Sequence, residues 1–546
     1  MTVDARQTDV DEQPARGDAR PLGDDAPSLN SAAPQLVNDA PPAGSLTARA
    51  AWLMLARTLA FACSFALPLL LVRRLSREDL GVYRQVFLLV TTAINVLPIG
   101  FHMSAFYFLP RERERQGQIV LHITLVFALL AGAASLALYL RPALLVSIFG
   151  SGELVPLAPL VALLLFLWVG TSHLEYMALA NQEVRVATLL IVALQVTRAV
   201  LMLSAALAFG TVRALLWAAI AQGVLQAAAL VVYMQMRFRA FGRGVDFALL
   251  RRQLSYALPL GLAGLLAAVQ LDAHNYFVSH FYGAAAFAVY STGCFNLPLI
   301  HILSDSVGAV MIPRVNVLQK EGRAREIVEL TAAMLRKLAL VYFACYALLL
   351  VVAREFVLVL FTAKYLASLP VFVVNLTMIL VYLLSNAYDP VMRAYAEHRF
   401  FLLRLRAVLL GALLAALWLW TGRLGLVGVI TLVVCCNFAE RVATLWKAAR
   451  VVGFRARDVA LLKDVGKLAL AATAAGVAAA FLRAAVVAAL PPFFVLVLCG
   501  SVFTLVYALA VVALRVVRPE ERAAVTRRLA RLPRLGRRLR AAEPVV

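Results

Sequence analysis

Residues 282–295 read YGAAAFAVYSTGCF, and residues 75–87 read LSREDLGVYRQVF. Each is a short loop that passes through a small residue and Val-Tyr into a new apolar helix. Gly81-Val82-Tyr83 falls on Ala288-Val289-Tyr290, 207 residues later. A second echo lies downstream. ALANQEVRVATLL (178–190) matches MRAYAEHRFFLLR (392–404), with Ala180, Glu183 and Arg185 falling on Ala394, Glu397 and Arg399 at a nearly equal offset. Each of these segments follows one apolar run and opens the next. Two echoes at near-equal offsets point to an internal duplication.

What is duplicated is a set of membrane helices. Of the 546 residues, 63% are hydrophobic, and the mean hydropathy is +0.84. Apolar runs of ~20 residues, the length that crosses a bilayer as a helix, recur from residue 47 to residue 516. The short alternating segments of a membrane β-barrel are absent. About fourteen candidate spans follow: 47–72, 83–108, 117–140, 154–180, 184–209, 213–236, 253–280, 284–312, 331–352, 366–390, 400–421, 424–446, 466–489 and 493–515. The fold class is all-α and polytopic. The echoes lie six spans apart, an even number that preserves orientation, so the repeats are parallel and related by an axis along the membrane normal. The chain divides into a disordered tail (1–45), an N-terminal lobe of spans 1–6 (46–237), a C-terminal lobe of spans 7–12 (251–450), an added pair (464–516) and a basic tail (517–546).

Charge sets the orientation. The net charge of +22 would suggest nucleic acid in a soluble protein, but here Arg and Lys gather in the short loops between apolar runs. Arg111, Arg113, Arg115, Arg251, Arg252, Lys463 and the Arg-rich tail share one side; far fewer, among them Arg73, Arg77 and Lys364, share the other. The positive-inside bias places both termini in the cytoplasm. Residues 1–45, rich in Asp, Pro and Ala, bury nothing and hold no cleavable apolar region.

No loop is long enough to carry a soluble catalytic domain. No GxxxxGK[ST] phosphate loop, HExxH motif or metal-spaced Cys/His cluster occurs, so neither a metal nor any other cofactor is expected. The six cysteines fall inside apolar runs without CxxC spacing and read as small core residues.

Charged residues at membrane depth are costly, and they face a cavity or a partner. They are Arg57, Arg198, Asp272, His274, Asp305, Asp389, Arg393, Glu440 and Arg441, with Asn275 and Asn437 as polar companions. Asp272, Asn275, Tyr276 and Ser279 lie at i, i+3, i+4 and i+7, a single helix stripe expected to face a cleft between the lobes. His274 points elsewhere, about 200° round the helix from Asp272. It reads as a hydrogen-bonded packing residue, with proton coupling as the alternative. For Asp272 two readings stand: a cavity wall meeting sugar hydroxyls or a coupling cation, or an ion pair with Arg57 or Arg198. Glu440-Arg441 reads as a local structural pair. Pro68, Pro98, Pro259, Pro298 and Pro390 mark kinks, and Gly261 and Gly264 mark close packing or bending.

RLSREDLGVYRQVFLLV (74–90), followed by GFHMSAFYFLPRERERQGQ (100–118), resembles the opening of polysaccharide-biosynthesis flippases. These are Wzx-type O-antigen flippases of the multidrug/oligosaccharidyl-lipid/polysaccharide (MOP) exporter superfamily. The second lobe resembles them through Asp272, Gly283, Val289, Tyr290 and Ser291, and the resemblance spans residues 47–516. It implies a bacterial inner-membrane transporter that carries an undecaprenyl-diphosphate-linked oligosaccharide to the periplasmic leaflet for surface polysaccharide: lipopolysaccharide O-antigen, capsule or exopolysaccharide. The partners implied are that lipid, the bilayer and other assembly proteins. On that reading Arg57 and Arg198 would meet the diphosphate, because guanidinium binds phosphate bidentately. Asp272, Asn275 and Asp305 would line the wall. A peptidoglycan-precursor flippase or a drug/cation antiporter of the same superfamily is the alternative. A membrane polymerase or ligase is the alternative of another kind.

Overall fold

The computed structural model describes residues 67–238, 241 and 244–516. Both tails, and Arg57 with most of the first span, lie outside the described residues. Apart from short turns and connections those residues are helical, with no strand among them.

A helical stretch, 67–74, leads to α1 (Arg77–Val96). The local sequence dictates this start. The Ser76 hydroxyl accepts from the Asp79 amide at 2.9 Å, and Glu78 and Asp79 place negative charge at the positive end of the helix dipole. The chain breaks at Pro98 and Gly100 and resumes as α2 (Met103–Arg111). Then come α3 (Gln116–Leu140), α4 (Ala143–Phe149), α5 (Ala158–Thr171), α6 (Leu174–Ala180), α7 (Val184–Ala208) and α8 (Val212–Arg237).

The second half repeats the style. It contains α9 (Phe247–Gly293), α10 (Pro298–Lys320), α11 (Ala324–Val351), α12 (Ala353–Phe361), a 3₁₀ turn Ala363–Ser368, α13 (Leu369–Leu376), α14 (Met378–Ala394) and α15 (Arg399–Val451). The chain closes with α16 (Lys463–Val486) and α17 (Pro492–Ala513).

Two of these helices are hairpins. A straight helix of the 53 residues in α15 would be about 80 Å long, far beyond a hydrocarbon core of ~30 Å. It folds at Gly425, whose φ of 63° and ψ of 179° are not helical. The arms lie antiparallel, with the Cys436 thiol on Leu409 O at 3.6 Å and Arg406 on Glu440 at 3.0 Å. In the same way α9 folds at Gly283 (φ 78°, ψ 178°), and the Tyr290 hydroxyl meets His274 Nδ1 at 2.8 Å across the turn. A positive φ is where glycine's missing Cβ matters.

Nine helical segments among the described residues have the length and apolarity to cross a membrane, or ten if Phe247–Pro259 and Gly264–Gly293 of α9, bent by 53° to each other, are joined as one span. The whole of α15 counts once in that number. The expected spans 83–108, 154–180, 284–312 and 366–390 are each broken within. The breaks fall at Leu97–His102, Ser172–His173, Cys294–Leu297 and Thr377.

Buried apolar side chains form several cores. One gathers Leu71, Val86, Leu164 and Leu216; another gathers Tyr342, Phe372, Leu468 and Phe503. The α16–α17 pair docks on the second. There the Tyr507 hydroxyl donates to Leu340 O at 2.9 Å, and Arg483 grips the fully buried Glu355 of α12 through two bonds of 2.9 and 3.0 Å. The five described cysteines are free thiols.

Candidate transport site

The longest helix contact runs between α1–α2 and α9. A Cβ on Gly81 would lie 2.0 Å from Ala284 O, and one on Gly261 would lie 1.7 Å from Ile99 O. The backbones therefore touch at two levels. Between them Gln85 donates to Ser279 at 2.7 Å, the Tyr276 hydroxyl to Leu88 O at 3.4 Å and Thr92 to Asp272 Oδ2 at 2.6 Å. Beyond Gly261, Tyr107 stacks on Tyr256 at 4.5 Å and Glu112 pairs with Arg252. Residue numbers climb on one helix as they fall on the other, so one antiparallel seam spans the bundle.

The stripe of Asp272, Tyr276 and Ser279 thus shares one helix face, as its spacing requires. That face meets Gln85, Leu88 and Thr92 of α1 across the seam rather than an open cleft. Small residues let the backbones approach, and hydrogen bonds in a low-dielectric surround bind them. Half-buried Asn275 has no hydrogen-bond partner among the described residues. His274 is buried and bonded to Tyr290, away from Asp272.

Arg198 lies against aromatic faces, its guanidinium carbon 4.4 Å from the Trp168 ring centre and 5.6 Å from that of Phe87. Trp168 is itself fixed by its indole N–H on Ala219 O at 3.0 Å. Of the two readings of Asp272, the ion pair with Arg198 does not form: Asp272 is held by Thr92, and Arg198 has no carboxylate partner among the described residues. Aromatic faces hold a cation without neutralising it. Asp305, exposed on α10, has no partner among the described residues.

Two arrangements escaped the sequence reading. The first is Arg84 of α1. Its Nη1 donates to Ala288 O at 2.9 Å and to the Ser291 and Thr292 hydroxyls at 2.7 Å each. Ser291 is 207 residues from Arg84, the offset of the repeat. The signal was present in GVYRQVF, but the arginine sat inside the repeated motif and passed for part of it.

The second is built around Glu440, whose side chain is 3% exposed. It receives Arg406 at 3.0 Å, Arg441 at 3.1 Å and the Gln270 amide at 2.6 Å. Arg441 also reaches Ser385 at 3.1 Å. The local Glu440-Arg441 pair is therefore part of a larger knot tying α9, α14 and both arms of α15. Asp389 and Arg393 form an ordinary i, i+4 pair at 2.8 Å. No group of three or more metal-ligand side chains occurs among the described residues.

At the opposite mouth from Arg84, the His122 ring links α3 to α9. Its Nε2 accepts from the Asp246 amide at 3.1 Å, so Nδ1 carries the proton that it donates to Gln253 Oε1 at 2.8 Å. Asp246 caps α9, accepting from the Leu249 and Ala248 amides, and pairs with Arg115 at 3.4 Å.

A family model described as polysaccharide biosynthesis protein matches residues 51–370. No curated protein matches by sequence. Among solved structures, a lipid II flippase, MurJ, in an inward closed conformation is similar with a TM-score of 0.63 at 14% identity, covering 83% of this chain and 98% of that one. A multidrug resistance MATE family transporter of the MOP superfamily is similar in its inward-facing form, with a TM-score of 0.57 at 16% identity, covering 74% of this chain and 95% of that one. An outward-facing form of such a transporter gives 0.52 at 15% identity, with coverage of 74% and 95%. These likenesses establish a fold of the MOP type.

Proposed function

This chain belongs to the polysaccharide biosynthesis protein family, and we propose that it flips an undecaprenyl-diphosphate-linked oligosaccharide across the bacterial inner membrane for surface polysaccharide assembly. The observation that carries the reading is a pair of guanidiniums within the helix bundle, Arg84 near one mouth and Arg198 deeper, with no carboxylate partner among the described residues. Intramembrane charge is kept where it has work to do, and guanidinium matches a diphosphate in charge and fork geometry. Arg57 lies outside the described residues and joins the set by its sequence position alone. Asp272, Asn275 and Asp305 would meet sugar hydroxyls as the two lobes, 46–237 and 251–450, rock about the seam. Asp272 would couple an ion, with His274, anchored to Tyr290 on another face of the helix, as the second candidate. The hydrogen bond between Arg84 and its repeat equivalent supports the two-lobe division. Both termini would lie in the cytoplasm, and the fold supports transport rather than catalysis.

A deletion strain tests this. Complete repeat units on undecaprenyl diphosphate, trapped on the cytoplasmic side, are expected. Units accumulating on the periplasmic side would mark a polymerase or ligase. Trapped peptidoglycan precursor with lysis would mark a lipid II flippase, the function of the similar MurJ.

A further inference from the structure

Four cations cluster where the start of α1 meets the segment 353–368. Arg77 donates to Lys364 O, and Lys364 donates back to Leu75 O. Arg73 donates to Val359 O at 2.9 Å, and Arg84 holds Ala288 O, Ser291 and Thr292. Every bond crosses from 67–96 to 284–368, that is, from the first repeat to the second. Every acceptor is neutral. Of the acids nearby, Asp79 bonds Ser76 and Glu355 bonds Arg483, while exposed Glu78 forms no ion pair with any of the four. Among the described residues none of the four cations has an ion pair.

Two features leave room for a ligand. Arg84 makes all its bonds through Nη1, so Nε and Nη2 have no partner among the described residues. Tyr365 is fully buried, yet its hydroxyl has no hydrogen-bond partner, with Arg84 and Arg77 within electrostatic range. Buried hydroxyls are normally satisfied. A cluster of like charges beside an orphaned donor is a site missing its anion.

We propose that Arg77, Arg84 and Lys364, on the side opposite the cytoplasmic arginines, form a latch released by an anion: a diphosphate brought through the bundle to this exit mouth takes the cations from their neutral acceptors, and the two halves part. Phosphate offers guanidinium a bidentate, fully ionised partner that a carbonyl oxygen does not. The bonds that close the mouth are thereby exchanged for bonds to the cargo. The ligand acts because it binds the parted state better. The proposal rests on the flippase reading above and deepens it.

The test uses the purified full chain with non-cysteine spin labels at Glu78 and Ala363, both exposed on either side of the latch. The probes are geranyl diphosphate, geraniol and inorganic pyrophosphate. Geranyl diphosphate is expected to shift the ratio of long to short label distances by roughly tenfold, and geraniol to leave it unchanged. A response to pyrophosphate as well assigns the site to the anion alone; a response to geranyl diphosphate only ties it to a prenyl-bound headgroup. Arg84→Gln with Lys364→Gln is expected to give the long distance without ligand and no further response. Arg84→Lys, which keeps the charge and loses the fork, is expected to respond weakly. An unchanged distance with diphosphate, an equal response to geraniol, or a full response in the double variant would overturn the latch. These distances are read whether or not the chain flips a glycan lipid, so a failed latch and a failed flippase reading are told apart.

Discussion

Replacing Glu440 by Gln keeps the shape of the knot at the centre of the second half and removes its only negative charge. Two guanidiniums, Arg406 and Arg441, stand 3.0 and 3.1 Å from that carboxylate, whose side chain is 3% exposed. Removing one partner of a buried ion pair costs about 3–5 kcal/mol, because the charge left behind stays desolvated. Arg406 is a third exposed and relaxes toward solvent or headgroups, whereas Arg441 at 14% cannot, which keeps the expected loss near the lower figure. The heat-induced loss of monodisperse protein in detergent should fall by about 5 °C, taking a size-scaled shift of ~1–2 °C per kcal/mol. Adding Arg441→Gln should restore much of the loss, since it removes the charge that would otherwise stay buried without a partner. A Glu440→Gln protein as heat-stable as the parent, or a double variant with additive losses, would refute the reasoning that this knot is a coupled, structural tie.

Three further outcomes are expected. Gly81→Ala places a methyl 2.0 Å from Ala284 O, about 1.4 Å short of ordinary contact, so the seam must part there; a loss of about 1–3 kcal/mol is expected from thermal melts. Gly264→Ala, which meets nothing within 4 Å, serves as the neutral control. The amides of Leu249 and Ala248, with Arg115 adding to them, hold the Asp246 carboxyl below its ordinary value. Its contribution is present above the unfolded value of ~3.9 and is lost as pH falls through the folded one, so stability should drop below about pH 4 and Asp246→Asn should flatten that limb in melts between pH 7 and pH 3. Arg198→Gln should reduce surface polysaccharide on complementation far more than Arg198→Lys, read by gel of the polysaccharide at matched protein levels.

What the sequence carried was periodicity. Apolar runs gave the helices, and the two stretches of the Val-Tyr echo lie at one contact, where Gly81 meets Ala284 and Arg84 meets Ser291. The spacing of Asp272, Tyr276 and Ser279 put them on one face, and the 200° turn to His274 sent it to Tyr290 instead. The face's neighbour was not legible, because Gln85, Leu88 and Thr92 lie roughly 180–195 residues away and only the crossing at Gly81 and Gly261 sets the register. Glu440 was read with Arg441 because they are adjacent. Arg406 and Gln270 join it only after α15 turns at Gly425 and α9 packs alongside. Two of the breaks inside spans fall beside prolines marked in the sequence, Pro98 and Pro298; those at Ser172–His173 and Thr377 escaped, since no proline lies there.

The central claim is that this chain moves a lipid-linked oligosaccharide between leaflets. Purified protein in sealed proteoliposomes, given undecaprenyl-diphosphate-linked repeat units on the inner leaflet only, tests it most directly through cleavage by an external, membrane-impermeant glycosidase. Time-dependent cleavage that requires the protein, and that slows in Arg198→Gln, is the expected result. Cleavage no faster than in protein-free liposomes, with an imposed ion gradient or membrane potential of either sign, would contradict the account.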